Sequence, residues 1–160
     1  MTDDEMQMDA GPAYLPQSTH RRLRLNNTER ATQGIVCFGL ATLIVTAAWL
    51  TPDPAGLGTH RQLGLPGCTM VTWFGIRCPG CGMTTSWAYT THGDFEGGIK
   101  SNVAGVLLLI MAIVTIPFLA IGVFTGFKFQ NRLISFIAAI ALSVIALIAL
   151  AEWIIRLAST

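Results

Sequence analysis

The sequence predicts an all-α integral membrane protein: three transmembrane helices, with a helical, partly re-entrant or interfacial loop between the first two. Three observations predict it. Of 160 residues, 52% are hydrophobic and only 12% charged, about half the roughly 25% of soluble chains. Three uncharged runs, at 31–52, 101–127 and 133–151, match the ~20 apolar residues that cross ~30 Å of hydrocarbon at 1.5 Å per residue. The charges nearly cancel, with 10 Lys+Arg against 9 Asp+Glu. That balance leaves no basic excess to meet phosphates, so nucleic acid is excluded as a partner. The apolar composition also excludes a largely disordered chain.

Residues 1–30 hold nine of the nineteen charges, together with Gly11, Pro12 and Pro16. They read as a disordered cytoplasmic tail with a basic end. The apolar stretch that follows starts too late for a signal peptide. The first span, 31–52, is diluted by Thr32, Gln33, Gly34, Thr42 and Thr46. The second, 101–127, contains Pro117 and the pair Gly122 and Gly126. Pro in a helix kinks it or frees a carbonyl, and the Gly spacing at that frequency is best read as chance. The third, 133–157, carries Ser135, Ala139 and Ser143 at i, i+4 spacing, which reads as a packing face. Glu152, near its end, is expected to pair with Arg156, and Trp153 is expected at the interface. In lipid every backbone polar group must pair internally, which requires helices here. A chain this short cannot enclose three such helices in a water-soluble core.

Orientation follows from basic residues near the span ends. Arg21, Arg22, Arg24 and Arg30 precede the first span, and Lys128 and Arg132 lie between the second and third. The expected placement is a multi-pass protein of a cell membrane with a cytoplasmic N-terminus and an outward loop at 53–100. Lipid is the expected surrounding, and other membrane proteins are the expected partners.

The loop carries the chemistry. It is longer than an idle connector and short of charge, with Trp73, Phe74, Trp87 and Tyr89 suited to interfacial depth. At its centre stands Cys78-Pro79-Gly80-Cys81-Gly82-Met83-Thr84-Thr85. A CxxC spacing lets two sulfurs form a disulfide or share a metal ion. Pro79 and Gly80 favour a tight turn, and Met83 onwards suits a short helix whose N-terminal amides would favour a thiolate. On a helical wheel Cys81, Thr85, Ala88 and His92 share a stripe, although Cys81 and His92 would stand about 16 Å apart along it. Cys68 precedes the motif by ten residues. Cys68, Cys78 and Cys81, with His92 or His60 as a fourth ligand, form a candidate site for zinc or an iron–sulfur cluster. The alternatives are a structural disulfide between Cys78 and Cys81, or from either to Cys68, and a redox pair of Cys78 and Cys81, for which no thioredoxin-like strand–helix pattern surrounds the motif. Gly93 is expected to end the helix, Asp94 to cap the next one, and Asn102 to stand where the chain enters the second span.

The stretch from Cys78 to Asn102 resembles the signature of a bacterial family of small membrane proteins, the domain of unknown function 2752. That signature runs C-P-x-C-G-[LM]-T-R, a short helix, G-D, then Asn-Pro before an apolar span. Cys78, Pro79, Cys81, Gly82, Met83, Thr84, Gly93, Asp94 and Asn102 match it, whereas Thr85 replaces the Arg and Val103 the Pro. The resemblance covers roughly 76–155 and implies a shared fold and a bacterial inner membrane. It implies no activity.

The sequence holds no nucleophile–base pair, phosphate loop or intramembrane carboxylate pair. The resulting expectation is a non-enzymatic accessory or complex subunit with a CxxC-stabilised loop. The alternatives are a membrane thiol–disulfide oxidoreductase using Cys78 and Cys81, or a cysteine-based metal-binding module.

Overall fold

The computed structural model describes residues 24–128 and 132–158. The tail expected at 1–30 lies outside the described residues up to position 23. Apart from one isolated antiparallel bridge between Arg24 and Phe127, the described residues are helical or loop.

The first helix, α1, spans Asn27–Trp49 and reaches four residues back beyond the uncharged run. Asn26 and Glu29 form a capping box, in which the Asn26 N–H donates to Glu29 Oε2 at 2.9 Å. The box satisfies amides that have no partner inside the helix. Leu50 is already extended. Four short elements follow: a 3₁₀ turn at Thr59–Leu63, α2 at Thr69–Phe74, α3 at Met83–Thr91 and α4 at Phe95–Ser101. Two long helices complete the chain, α5 at Val103–Thr125 and α6 at Arg132–Ala158. By length and composition α1, α5 and α6 can each cross a membrane, which defines a multi-pass, membrane-embedded protein.

Helices α1 and α5 run antiparallel and meet closely at one end. The Leu25 N–H donates to the Gly126 carbonyl at 2.9 Å, and the Arg30 guanidinium donates to the Val123 carbonyl at 2.6 Å and 3.1 Å. Gly122 eases the approach there, because a Cβ on it would meet Gln33 Oε1 at 2.7 Å and push that side chain aside. The Gly spacing is therefore half structural. Gly122 permits the helix approach, while Gly126, at φ +68°, ends α5.

Helix α6 lies against α5 and buries little of itself, with Ile145 its buried apolar residue. The packing face expected at Ser135, Ala139 and Ser143 is not the one used. Ser143 is exposed and its hydroxyl donates back to the Ala139 carbonyl at 2.9 Å. The covered side runs instead through Ala138, Ala141, Ile145 and Glu152. A helix apolar all round gives no sign of which stripe faces its neighbours. Between the three long helices, at the end away from the loop, lies a groove of about 870 Å³.

The buried core sits elsewhere. Ala104, Val106, Leu109 and Ala112, at the start of α5, are buried. Ala88 of α3 and Ala47 of α1 join them. The loop elements fold onto this end of the bundle.

Candidate functional site

The turn 78–81 is built by its sequence. The Cys81 N–H donates to the Cys78 carbonyl at 3.0 Å and the Met83 N–H to the Gly80 carbonyl at 3.2 Å. Gly82 adopts φ +90°, and a Cβ there would lie 2.6 Å from the Ser101 carbonyl oxygen and 2.7 Å from that of Gly56. Only glycine fits such a position. Helix α3 starts immediately afterwards. It ends at His92, with Gly93 at φ +86°, and the Asp94 side chain caps α4 by accepting from the Gly97 N–H at 2.8 Å.

Asn102 locks this turn to the second long helix. It is fully buried and is the single extended residue between α4 and α5. Its Oδ1 accepts from the Gly105 N–H at 2.7 Å, capping α5. Its Nδ2 donates to the Pro79 carbonyl at 3.2 Å and the Cys81 carbonyl at 3.3 Å. Its own carbonyl accepts from the buried Ser86 hydroxyl at 2.9 Å. One side chain thus satisfies three backbone groups that would otherwise be buried unpaired.

Other ties close the region. The Trp87 indole N–H donates to the Gly105 carbonyl at 2.8 Å. The Thr59 hydroxyl donates to that of Thr85 at 2.9 Å, both fully buried. From α6, the Trp153 indole N–H donates to the Arg77 carbonyl at 2.8 Å, and Arg156 donates to the Ser101 carbonyl at 3.0 Å. Glu152 Oε1 accepts from the Val103 N–H at 3.3 Å and stands 3.8 Å from Arg156. The indoles, read from the sequence as interfacial, and Glu152, which keeps its expected pairing with Arg156, also hold the loop to the bundle. Their partners are distant backbone groups, which leave no mark in a local pattern.

This scaffold brings three sulfurs together. The Sγ atoms of Cys68, Cys78 and Cys81 all lie within 4.8 Å of one another. All three are free thiols, and Cys78 Sγ stands 3.0 Å from Cys81 Sγ. Cys68 reaches the others because it sits at the N-cap of α2. There the Val71 N–H, with help from the Cys81 and Cys78 thiols, holds its thiol down at about 7. Burial, reinforced by the Cys78 thiol, pushes the Cys81 thiol up to about 12. Cys37, in α1, lies apart from the cluster, its thiol directed at the Ile116 carbonyl at 3.8 Å.

A cavity of about 140 Å³ opens on the three sulfurs. His60, Arg61, Thr84 and Thr85 share its wall. His92 does not line it; its Nδ1 lies 2.7 Å from the Ala88 carbonyl oxygen, one turn back on its own helix. The wheel that aligned Cys81 with His92 described a shared stripe, but their separation along the helix keeps the imidazole at the far end.

Three thiols converging on one small cavity can hold a soft metal ion or exchange disulfides. The class is therefore a multi-pass membrane protein with a three-thiol centre in its folded loop. Residues 68–116 match the model of a family described as a protein of unknown function, DUF2752. The matched stretch begins at Cys68 and takes in the other two cysteines, Asn102 and the first half of α5. No curated protein and no solved structure matches the chain.

Proposed function

We propose that this chain is a non-enzymatic membrane component, an accessory or complex subunit whose loop holds a zinc ion through Cys68, Cys78 and Cys81. The observation that carries this reading is the mutual approach of the three Sγ atoms within 4.8 Å. Thiolates at 2.3 Å from zinc in a tetrahedral site stand about 3.8 Å apart. The cluster reaches that spacing with small side-chain rotations. Thiolates select soft ions, and one ion would staple α2, the 78–81 turn and the start of α3 together. A metal staple suits a loop whose own core is small.

The charge distribution supports a cytoplasmic N-terminus and an outward loop. The signature matched by Cys78, Pro79, Cys81, Gly82 and Thr84 supports a bacterial inner membrane. Leu65, Trp73, Phe74, Phe95 and Ile99 are exposed on the loop, which favours a loop lying in the bilayer interface.

Metal analysis of tag-free protein, purified in detergent without added metal, tests the reading. About one zinc per chain is expected for the wild type, and almost none for Cys78→Ser. Wild-type protein without zinc or any other soft ion overturns it. The 3.0 Å contact of Cys78 and Cys81 favours a second reading, thiol–disulfide exchange. There the two thiols lose two electrons and two protons to a disulfide or quinone acceptor. Metal-free wild type with a reversible Cys78–Cys81 couple would select it.

A further inference from the structure

We infer that His60 completes the centre as the fourth ligand, through Nδ1, giving a Cys₃His zinc site with Arg61 beside it. This rests on the zinc reading above and adds a ligand, its coordinating atom and a charge partner.

A closed zinc site needs four donors, and the three cysteines supply three. Among the described residues there are two histidines, His60 and His92. His60 lines the cavity onto which all three sulfurs open. His92 does not, and its Nδ1 is already engaged at 2.7 Å with the Ala88 carbonyl.

The ring of His60 is held in the tautomer a ligand needs. Its Nε2 stands 3.2 Å from the Pro66 carbonyl oxygen. A carbonyl can only accept, so Nε2 carries a proton, and in the neutral ring that binds a metal Nδ1 is the atom left with the lone pair. A ligating imidazole that gives its other N–H to a backbone carbonyl is the usual outer-shell arrangement at metal sites. Here the carbonyl belongs to Pro66, two residues before Cys68, so the same short connection carries one ligand and orients another.

The backbone under His60 is fixed. Thr59, its neighbour, is fully buried. The Thr59 hydroxyl donates to Thr85 Oγ1 and accepts from the Asp53 N–H at 3.1 Å. Thr85 lines the same cavity, so the turn bearing His60 is bonded to the helix that follows Cys81. The imidazole shares the cavity wall with the sulfurs but does not close to within 4.8 Å of all three, so ligation requires the ring to move toward them.

Charge closes the argument. Three thiolates, a neutral imidazole and a divalent ion carry a net charge of −1. Arg61 lines the cavity, and a Cβ on Gly67 would stand 2.6 Å from its Nη2. The guanidinium therefore lies against the residue preceding Cys68, where it offsets that charge. The absence of a side chain at Gly67 leaves room for the guanidinium in this position.

X-ray absorption at the zinc edge tests the assignment on wild-type protein and on His60→Ala, His92→Ala and His20→Ala. Wild type is expected to show three sulfur scatterers, one nitrogen and the outer-shell signature of imidazole. His60→Ala should lose that signature and bind zinc at least about tenfold more weakly, the loss that outer-shell changes alone cause. His92→Ala and His20→Ala should keep both. Zinc bound in wild type with no imidazole signature overturns this inference and leaves the three-thiol reading standing. So does a signature that survives His60→Ala. Wild type without zinc overturns the three-thiol reading itself. The wild-type spectrum decides even if a variant fails to fold.

Discussion

The two ends of this bundle are built on opposite principles. At the loop end, buried polar side chains make the structure: Thr59, Thr85, Ser86, Thr90, Ser101 and Asn102 are all buried and all lie between residues 59 and 102. At the other end α1 and α5 touch through Leu25 and Arg30, but α6 stands off across an open groove, and Phe118, Ile134 and Ile137 on its walls remain exposed. Lipid explains the difference. Between helices in a bilayer the hydrophobic effect gives no net pull, because tails are as apolar as leucine. Close packing and polar pairing must hold helices together, and this chain buries its polar side chains around the loop, while the far end relies on a few ties between α1 and α5. The spans serve as a mount for a small polar core.

Breaking that core should have the largest effect. Asn102→Leu leaves the Pro79 and Cys81 carbonyls and the Gly105 N–H unpaired, at about 1–3 kcal/mol each. The expected result is a loop that no longer folds, read as rapid proteolysis of 53–102 in detergent while the long helices persist by circular dichroism. Normal protease resistance in this variant would erase the contrast between the two ends.

Glycines sharpen the comparison. Gly82→Ala forces a side chain into two carbonyl oxygens at φ +90°, and a loss of about 2–4 kcal/mol is expected in thermal unfolding. Gly39, in α1, is the opposite case, since a Cβ added there would meet nothing within 4 Å. Gly39→Ala should be neutral or slightly stabilising, by up to about 1 kcal/mol. Equal effects at both sites would mean that the spans are packed as tightly as the loop.

A smaller change, Thr59→Val, removes the hydroxyl shared with Thr85 and should cost about 1–2 kcal/mol. Thr42→Val, whose hydroxyl only returns to the Phe38 carbonyl of its own exposed turn, should cost almost nothing. The mildest test is chemical. In metal-free protein Cys68, held at about 7, should gain thiolate as pH rises from about 6 to about 8. It should alkylate with iodoacetamide progressively faster over that range. Cys81, pushed up to about 12 by burial, should stay unmodified. Labelling Cys81 first would place the open face of the site on the wrong sulfur.

The sequence makes the apolar half of this molecule the easy half. Uncharged runs long enough to cross a bilayer announce α1, α5 and α6, because lipid imposes one demand on every residue. The packing faces stay hidden for the same reason, as Ser135 and Ser143 illustrate. In the loop, CxxC and its turn are legible because the spacing is local. That Cys68 joins them, that Asn102 closes the turn, and that His60 rather than His92 lines the cavity all depend on contacts between separate elements. The one local clue to Asn102 is a lone amide at the threshold of an apolar run.

The grip of α6 on the loop has a consequence for how the protein is made. Glu152, Trp153 and Arg156 bond to Val103, Arg77 and Ser101, which precede them by 49, 76 and 55 residues. Chains elongate at roughly 5–20 residues per second, so the loop emerges several seconds before the side chains that fasten it. The last helix therefore adds the final three ties to a loop that Asn102 and Trp87 already hold to the second span.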